Sequence, residues 1–546
     1  MEYLLKTMKK FLNWKLALML IMLLAAFLRL WQLGNVPSGI PDDEGAYIYN
    51  AYSVWHTGKD ILGNFMPLSF NSHSSLSPVP VYLIAPSVGI LGISAFSGRL
   101  PAALASIGSV FLLFLLVQSI FKNKRIALFS SLLLAISPWA LQIGRGAILD
   151  TDFAFFFLLL GIYIFIAKID SRKFLWSLIP FALAFYSYHA TKVYLVFLIP
   201  VLIFFFRKKL LNKKKETAFF ITGCFLIIAS FLVIIIPQKV TRQENVFLLN
   251  EPNAAKEVNW ERQYNTAPWI LREIFNNKPL YYLRIIRENY LKAFSFEFLF
   301  LSGDLGTPSQ IINIYFRGEF YIIELPLLLL GLYALFKNKD KFSRNLVLTL
   351  LLISPLPSTF TLDRNFVDRD IMMLPILLTI IAFGLAYLLE RIILYKHVYR
   401  YIFISIFVLV YLFLFTGYLY QYYYRWTVYG AEAWGTSSRD LVKFVAKVKG
   451  QYKDVYISKS YSTFLIQYAI FEKLDPRIVQ KVWNKNPVKI YNITMLAGCI
   501  NHDTYSPKTL YISSAFDCVY GSSPPTAKIV DKGNTLHVIW NIYENK

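Results

Sequence analysis

Apolar runs separated by short polar ones fill the chain from its first residues to about residue 420. The runs are roughly 16 to 22 residues long, enough for an α-helix to cross a hydrocarbon core. The first, about Leu16 to Leu33, follows Lys6, Lys9, Lys10 and Lys15 and has no small-x-small cleavage pattern before Trp31. It reads as an uncleaved anchor whose basic end is cytoplasmic. Further spans are expected near 101–121, 126–143, 151–167, 174–187, 192–206, 218–237, 320–336, 346–360, 371–389 and 401–420.

A shorter apolar segment, Pro78-Val-Pro-Val-Tyr-Leu-Ile-Ala-Pro, decides the topology. If it lies in the interface, near 79–94, every strong basic cluster falls on the cytoplasmic side: Lys122, Lys124 and Arg125; Lys168, Arg172 and Lys173; Arg207 to Lys215; Lys337 to Arg344; Arg391, Lys396 and Arg400. If it crosses, all of them are exported, against the orientation bias of basic loops. The expectation is therefore about eleven spans over residues 1–420, with a first outer loop at 35–100 and a long outer loop at 238–319. Residues 421–546 change to a polar pattern. A helix is expected near Ser437 to Lys449 and strands near Asp454 to Ser458, Lys508 to Ser513 and Leu536 to Ile542, making a small extracytoplasmic α/β domain.

Composition agrees with a membrane protein. Of 546 residues, 56% are hydrophobic and 16% charged, against about 25% charged in soluble domains; the mean hydropathy is +0.47. The net charge of +23 lies in the short loops between spans and does not describe a nucleic-acid-binding face. Cys224 falls inside a span, whereas Cys499 and Cys518 fall in the tail and can pair if it faces an oxidising compartment.

The expected topology collects polar groups at one membrane face. Asp42-Asp43-Glu44 follows the first span by about ten residues; a carboxylate held where water is scarce suits a general base, although acidic residues after a proline also open ordinary helices. Arg99, Arg145, Asp150, Asp152, His189, Lys192, Asp363, Arg364, Asp368, Arg369 and Asp370 are expected at the same face. Such charges are often snorkelling anchors, but several carboxylates and cations together suit an anionic, lipid-attached substrate. The aromatics of the long outer loop, Trp260, Tyr264, Trp269, Tyr281, Tyr282 and Tyr290, suit interfacial anchoring or stacking on sugar rings. Asn492-Ile-Thr494 is a formal glycosylation acceptor of little weight. No P-loop, dinucleotide fingerprint, HExxH or paired CxxC is present, which argues against an ATP-driven pump, a nucleotide-binding catalytic domain and a zinc hydrolase.

The order of these motifs resembles the lipid-linked-sugar glycosyltransferases of the GT-C superfamily, in the family of protein O-mannosyltransferases and the lipid A aminoarabinose transferase. Asp43-Glu44-Gly-Ala-Tyr47 is similar to that family's Asp-Glu-x-x-Tyr, and Pro78-Val-Pro80-Val-Tyr-Leu with Gly98-Arg99-Leu-Pro-Ala to its Pro-Pro-Leu-Tyr helix and Arg-Leu-Pro-Ser. Ser137-Pro-Trp with Arg145 and Asp150, Tyr186-x-Tyr188-x-Ala-x-Lys192, Phe294-Ser-Phe-Glu with Gly303-Asp304, and Arg369 before Met373-Leu-Pro375 also resemble recurring segments.

The resemblance implies a GT-C fold and an inverting transfer from a polyprenyl-phosphate sugar to a protein, lipid or glycan acceptor at the extracytoplasmic face of the plasma membrane. It implies Asp43 as general base, with Asp42 as runner-up, and Glu44, Arg145 and Asp150 orienting the acceptor or tuning the base. Arg99, Arg145, Tyr188, His189, Lys192 and Arg369 are the candidate donor-phosphate or substrate contacts. No metal site is assigned; a divalent cation is admitted because family members differ in metal use. The chain departs from the pattern at Leu76-Ser77-Pro78-Val-Pro80, where relatives have His or Lys before Pro-Pro, and at Phe366, where bacterial members often have His. A polyprenyl-linked sugar transporter or flippase, and an O-antigen-type ligase or polymerase, are the competing readings.

Overall fold

Inside a bilayer a backbone amide finds no partner except within its own helix or a closed barrel, so apolar runs become helices. The computed structural model describes residues 13–72, 75–146, 149–235, 247–304, 314, 317–362, 366–458, 461–499, 507–516, 518 and 524–545. Among them five helices are long and apolar enough to cross a membrane: Ala95–Phe121, Asp150–Lys168, His189–Leu211, Met373–Ile392 and His397–Tyr429. The chain is a mostly helical, multi-pass membrane protein.

Proline divides three of the expected spans. The run at 126–143 becomes Lys124–Ile136 and Pro138–Ile143, and that at 346–360 becomes Lys341–Ile353 and Leu356–Thr359 beyond Pro355. The run at 174–187 is a 3-10 turn, Arg172–Ser177, then Leu178–Phe185 with Pro180 in its first turn. Each proline lacks an amide hydrogen and crowds the preceding turn. An eight-residue helix is about 12 Å long, under half the hydrocarbon thickness.

Glu324–Lys337 and Met373–Ile392 pack with Gly331 and Gly384 at their crossing. A Cβ on either would fall 1.9 Å from a carbonyl oxygen of the opposite helix. By contrast, few residues of the apolar stretch in the helix His397–Tyr429 are buried against the rest of the protein. It passes through a π-turn at Gln421–Arg425 and leads into the C-terminal region.

There six strands form one sheet in the order β4-β5-β3-β6-β8-β7, where β3 is Asp454–Ser458, β4 Val488–Ile490, β5 Ile493–Leu496, β6 Thr509–Ser514, β7 Ala527–Val530 and β8 Val538–Asn545. The strands β5, β3 and β6 are parallel and the others join antiparallel. The expected helix and three strands correspond to Thr436–Val448, β3, β6 and β8. The strands β4, β5 and β7 are only three or four residues long, too short for an alternation to register in sequence. Cys499 and Cys518 form a disulfide. Asn492 donates its side-chain amide to the carbonyls of Lys449 and Tyr452 at 2.8 and 3.1 Å, which occupies the nitrogen a glycan would need.

Residues 35–100, expected as the first outer loop, contain the helix Asp42–Thr57, a two-stranded pair of β1, Phe70–Asn71, and β2, Ser75–Leu76, and the helix Pro78–Leu91 in the expected interfacial segment. In the segment expected as the long outer loop, the described helices include Ala254–Gln263, Trp269–Phe275 and Lys278–Ala293, with Trp260, Tyr264 and Trp269 exposed.

Candidate active site

The helix Asp42–Thr57 opens after Pro41 with Asp42, Asp43 and Glu44 in its first turn and no side-chain cap, so its carboxylates face the free amides and the positive end of the dipole. The three then part. Glu44 is sealed from solvent, while Asp42 and Asp43 are half-buried. Glu44 forms a two-pronged pair with the equally buried Arg99, Nε to Oε1 at 2.6 Å and Nη2 to Oε2 at 2.9 Å.

Arg99 donates its remaining hydrogens to backbone carbonyls: Nη1 to Leu33 and Pro37 at 3.1 and 2.9 Å, and Nη2 to Gly39 at 2.6 Å. A guanidinium has five N–H groups, and all five are engaged in holding the loop that precedes the acidic helix. Arg145 behaves similarly. It is buried, gives Nη1 to Leu28 O at 2.6 Å and Nη2 to Trp31 O and Val36 O at 2.6 and 3.1 Å, and lies 5.5 and 5.1 Å from the rings of Tyr422 and Tyr423. Its charge meets the C-terminal end of the helix Trp14–Leu30, where a cation is favoured. Both arginines are expected at the substrate; Arg99 holds Glu44 and the loop before the acidic helix, and Arg145 holds the end of the first helix and the start of that loop.

A second group converges on Tyr47, one turn beyond Asp43 on the same helix face. Its hydroxyl donates to Asp150 Oδ2 at 3.2 Å and accepts from the Ser77 amide at 3.1 Å. Burial first, then the charges of Asp150 and Asp43, push that hydroxyl well above its ordinary pKa. Asp150 in turn interacts electrostatically with Lys192, whose Nζ lies 3.2 Å from His189 Nδ1 and 4.6 Å from the ring of Phe231. Tyr188, half-buried, is the residue before the helix His189–Leu211. The Tyr47 hydrogen bond thus joins the helix that carries Asp43 to the one that carries Asp150, and Asp150 interacts in turn with Lys192 beside His189 on a third helix.

Arg369 lies on another segment and donates Nη1 to Thr361 Oγ1 at 2.5 Å. Its neighbour Asp370 accepts from the Ser358 hydroxyl at 2.6 Å and amide at 3.3 Å. Asp363 and Arg364 lie outside the described residues.

Arg29 and Glu319 were not expected. Arg29 is buried and donates to Ser106 Oγ at 2.8 Å, Ala135 O at 3.0 Å and Leu134 O at 3.2 Å, lining a small cavity with Asp152. Glu319 is buried close to Asp304 and Asp368. A charge inside or at the edge of an apolar run was the available signal in both cases. No group of three or more His, Cys, Asp or Glu side chains placed to hold a metal occurs among the described residues.

Residues 73–234 match the family model described as dolichyl-phosphate-mannose-protein mannosyltransferase. Two curated relatives of Bacillus subtilis (strain 168), YkcB and YycA, are both named provisionally as mannosyltransferases. The first is 30% identical over 170 residues and the second 31% over 171. Those matches span 30% and 31% of this chain but only 22% and 24% of the relatives' own lengths. In fold, the chain is similar to ArnT of Cupriavidus metallidurans bound to undecaprenyl phosphate, with a TM-score of 0.50 at 11% identity over 97% of this chain and 98% of that one.

Proposed function

We propose that this chain, which has the GT-C glycosyltransferase fold, is an inverting transferase that moves a sugar from a polyprenyl phosphate to an acceptor at the extracytoplasmic membrane face. The observation that carries the reading is the hydrogen bond from Tyr47 to Asp150, which ties Asp150 to the helix that carries Asp43, with the Lys192–His189 pair on a third helix in electrostatic reach of Asp150. The fold alone does not supply this chemistry; the site must.

Asp43 is the general base. As the acceptor oxygen or nitrogen attacks the anomeric carbon, its proton passes to the Asp43 carboxylate. The bond from that carbon to the phosphate oxygen breaks, and its electron pair leaves with the lipid phosphate. Attack opposite the leaving group inverts the anomeric centre. Lys192, hydrogen-bonded to His189 and close to Asp150, stabilises the charge that grows on the departing phosphate. Tyr47 ties Asp150 to the face of the helix that carries Asp43. Glu44 acts through Arg99, which fixes the start of that helix.

In the same reading the chain crosses the membrane eleven times, its N-terminus is cytoplasmic and its C-terminal sheet is outside. The confinement of basic clusters to alternate loops supports this, as does the Cys499–Cys518 disulfide, a bond typical of oxidising compartments. Donor, acceptor and lipid all meet at that face.

The test is transfer of labelled sugar in membranes from undecaprenyl-phosphate-mannose and related donors, with protein, lipid and glycan fractions counted separately. Wild type is expected to transfer, and Asp43→Asn to lose at least about a hundredfold, the lower bound for a general base. EDTA in the same assay reads whether a divalent cation takes part. Undiminished transfer by Asp43→Asn removes the base assignment. No transfer, with labelled lipid changing leaflet only when the protein is present, replaces the enzyme by a flippase.

A further inference from the structure

The C-terminal region grips the acidic helix at both ends. At its start, Gln467 donates Nε2 to Ile40 O at 3.1 Å, and Ser38 Oγ shares a hydrogen bond with Thr436 Oγ1 at 3.0 Å. Arg439 donates to the Ser38 carbonyl. At its far end, the amide of Gln480 lies within reach of Ser53 Oγ and Thr57 Oγ1, both at 3.1 Å, and of Asp60 O at 3.0 Å. Between them the buried Tyr49 donates its hydroxyl to Leu474 O at 3.0 Å.

The approach is close as well as polar. A Cβ at Gly39 would fall 1.8 Å from Trp434 O, and one at Gly45 would fall 3.0 Å from Ile466 Cγ2. Trp434 also stacks against Arg99 at 5.6 Å, so the clamp reaches the buried Glu44–Arg99 pair.

A helix held at one end can swing. Held at both ends and packed against a wall, it has a fixed axis and a fixed rotation, and rotation decides where Asp43 points. We infer that the C-terminal α/β domain is a clamp that sets the position of the acidic helix, with Gln467 and Gln480 as positioning residues for Asp43. The catalytic consequence rests on the function proposed above; the clamp itself does not. Displacing a reacting group by about 1 Å can cost a hundredfold in rate, so a loosened clamp acts on turnover more than on donor binding.

The experiment uses the full chain in detergent or proteoliposomes, comparing wild type with Gln467→Glu combined with Gln480→Ala. Gln467→Glu is nearly isosteric but turns a donor into an acceptor facing the Ile40 carbonyl. Hydrogen exchange over residues 42–57 is expected to rise about tenfold while that of Ala95–Phe121 is unchanged. With undecaprenyl-phosphate-mannose as donor, kcat is expected to fall about tenfold with donor KM within about twofold. Adding Ser38→Cys and Thr436→Cys to this variant and oxidising with diamide re-ties the start of the helix, and is expected to restore both exchange protection and kcat.

Unchanged exchange in the double variant overturns the clamp. Faster exchange with an unchanged kcat overturns the positioning role. If wild type transfers no sugar from undecaprenyl-phosphate-mannose or the related donors, it is the functional reading that has failed, and the exchange measurement alone decides whether the clamp exists.

Discussion

Arg99 and Lys192 are both cations at the same end of the bundle, and the structure gives them opposite circumstances. Arg99 has all five donors engaged inside the protein, so its replacement by Met leaves Glu44 as an uncompensated buried charge. The expected cost is about 3–5 kcal/mol of stability, read as a lower thermal transition in detergent. Lys192→Met is expected to leave that transition nearly unchanged and to lower kcat by at least about a hundredfold, as loss of a group that stabilises developing charge does. If Arg99→Met instead folds normally and only raises the donor KM, the bracing role is wrong. The sequence marks both residues as charges at span ends. It carries no sign of which one is sealed, because sealing depends on Glu44, Gly39 and Trp434, none of them an immediate neighbour of Arg99 in the chain.

At the scale of elements, apolar periodicity places helices well, and some prolines break them while others, Pro101 and Pro200, lie inside unbroken ones. The first span, expected at about Leu16 to Leu33, is Trp14–Leu30, and the run near 371–389 is Met373–Ile392. The runs at 126–143, 174–187 and 346–360 are each split, although all three are predominantly apolar. Hydropathy reports transfer from water, whereas continuity depends on each backbone amide having a partner. The glycines at the crossing of Glu324–Lys337 and Met373–Ile392 give a prediction at this scale. Gly331→Leu or Gly384→Leu forces two backbones apart, since even a Cβ would lie 1.9 Å from a carbonyl oxygen. The expected loss is at least the 1–3 kcal/mol typical of overpacking, about enough to reduce the yield of monodisperse protein in detergent several-fold. A yield equal to wild type would show that the two helices can separate without consequence.

For the whole molecule, the prediction concerns sidedness. In intact cells, a membrane-impermeant maleimide is expected to label Cys499 and Cys518 only after reduction, and Cys224 not at all. Labelling that requires permeabilisation would put the sheet in the cytoplasm and invert the proposed topology. Cys499→Ser removes a link between residues 19 apart in sequence and is expected to cost about 3 kcal/mol, measured as unfolding of the C-terminal sheet on heating. The clamp makes a second reading of that experiment available: a loosened sheet should also loosen the helix Asp42–Thr57.

The class of molecule, the approximate positions of its helices, and the order of motifs that resembles GT-C transferases are all legible along the chain. These follow from composition and from periodicities that are properties of neighbouring residues. Tertiary structure alone decided the partners. Arg99 meets Glu44 across 55 positions, Arg145 meets Leu28 across 117, and Gln467 meets Ile40 across 427. Whether a charge is free for a substrate or consumed in holding the fold is a property of such distant contacts, because burial and hydrogen bonding are set by whatever packs around a group and not by what precedes it in the chain.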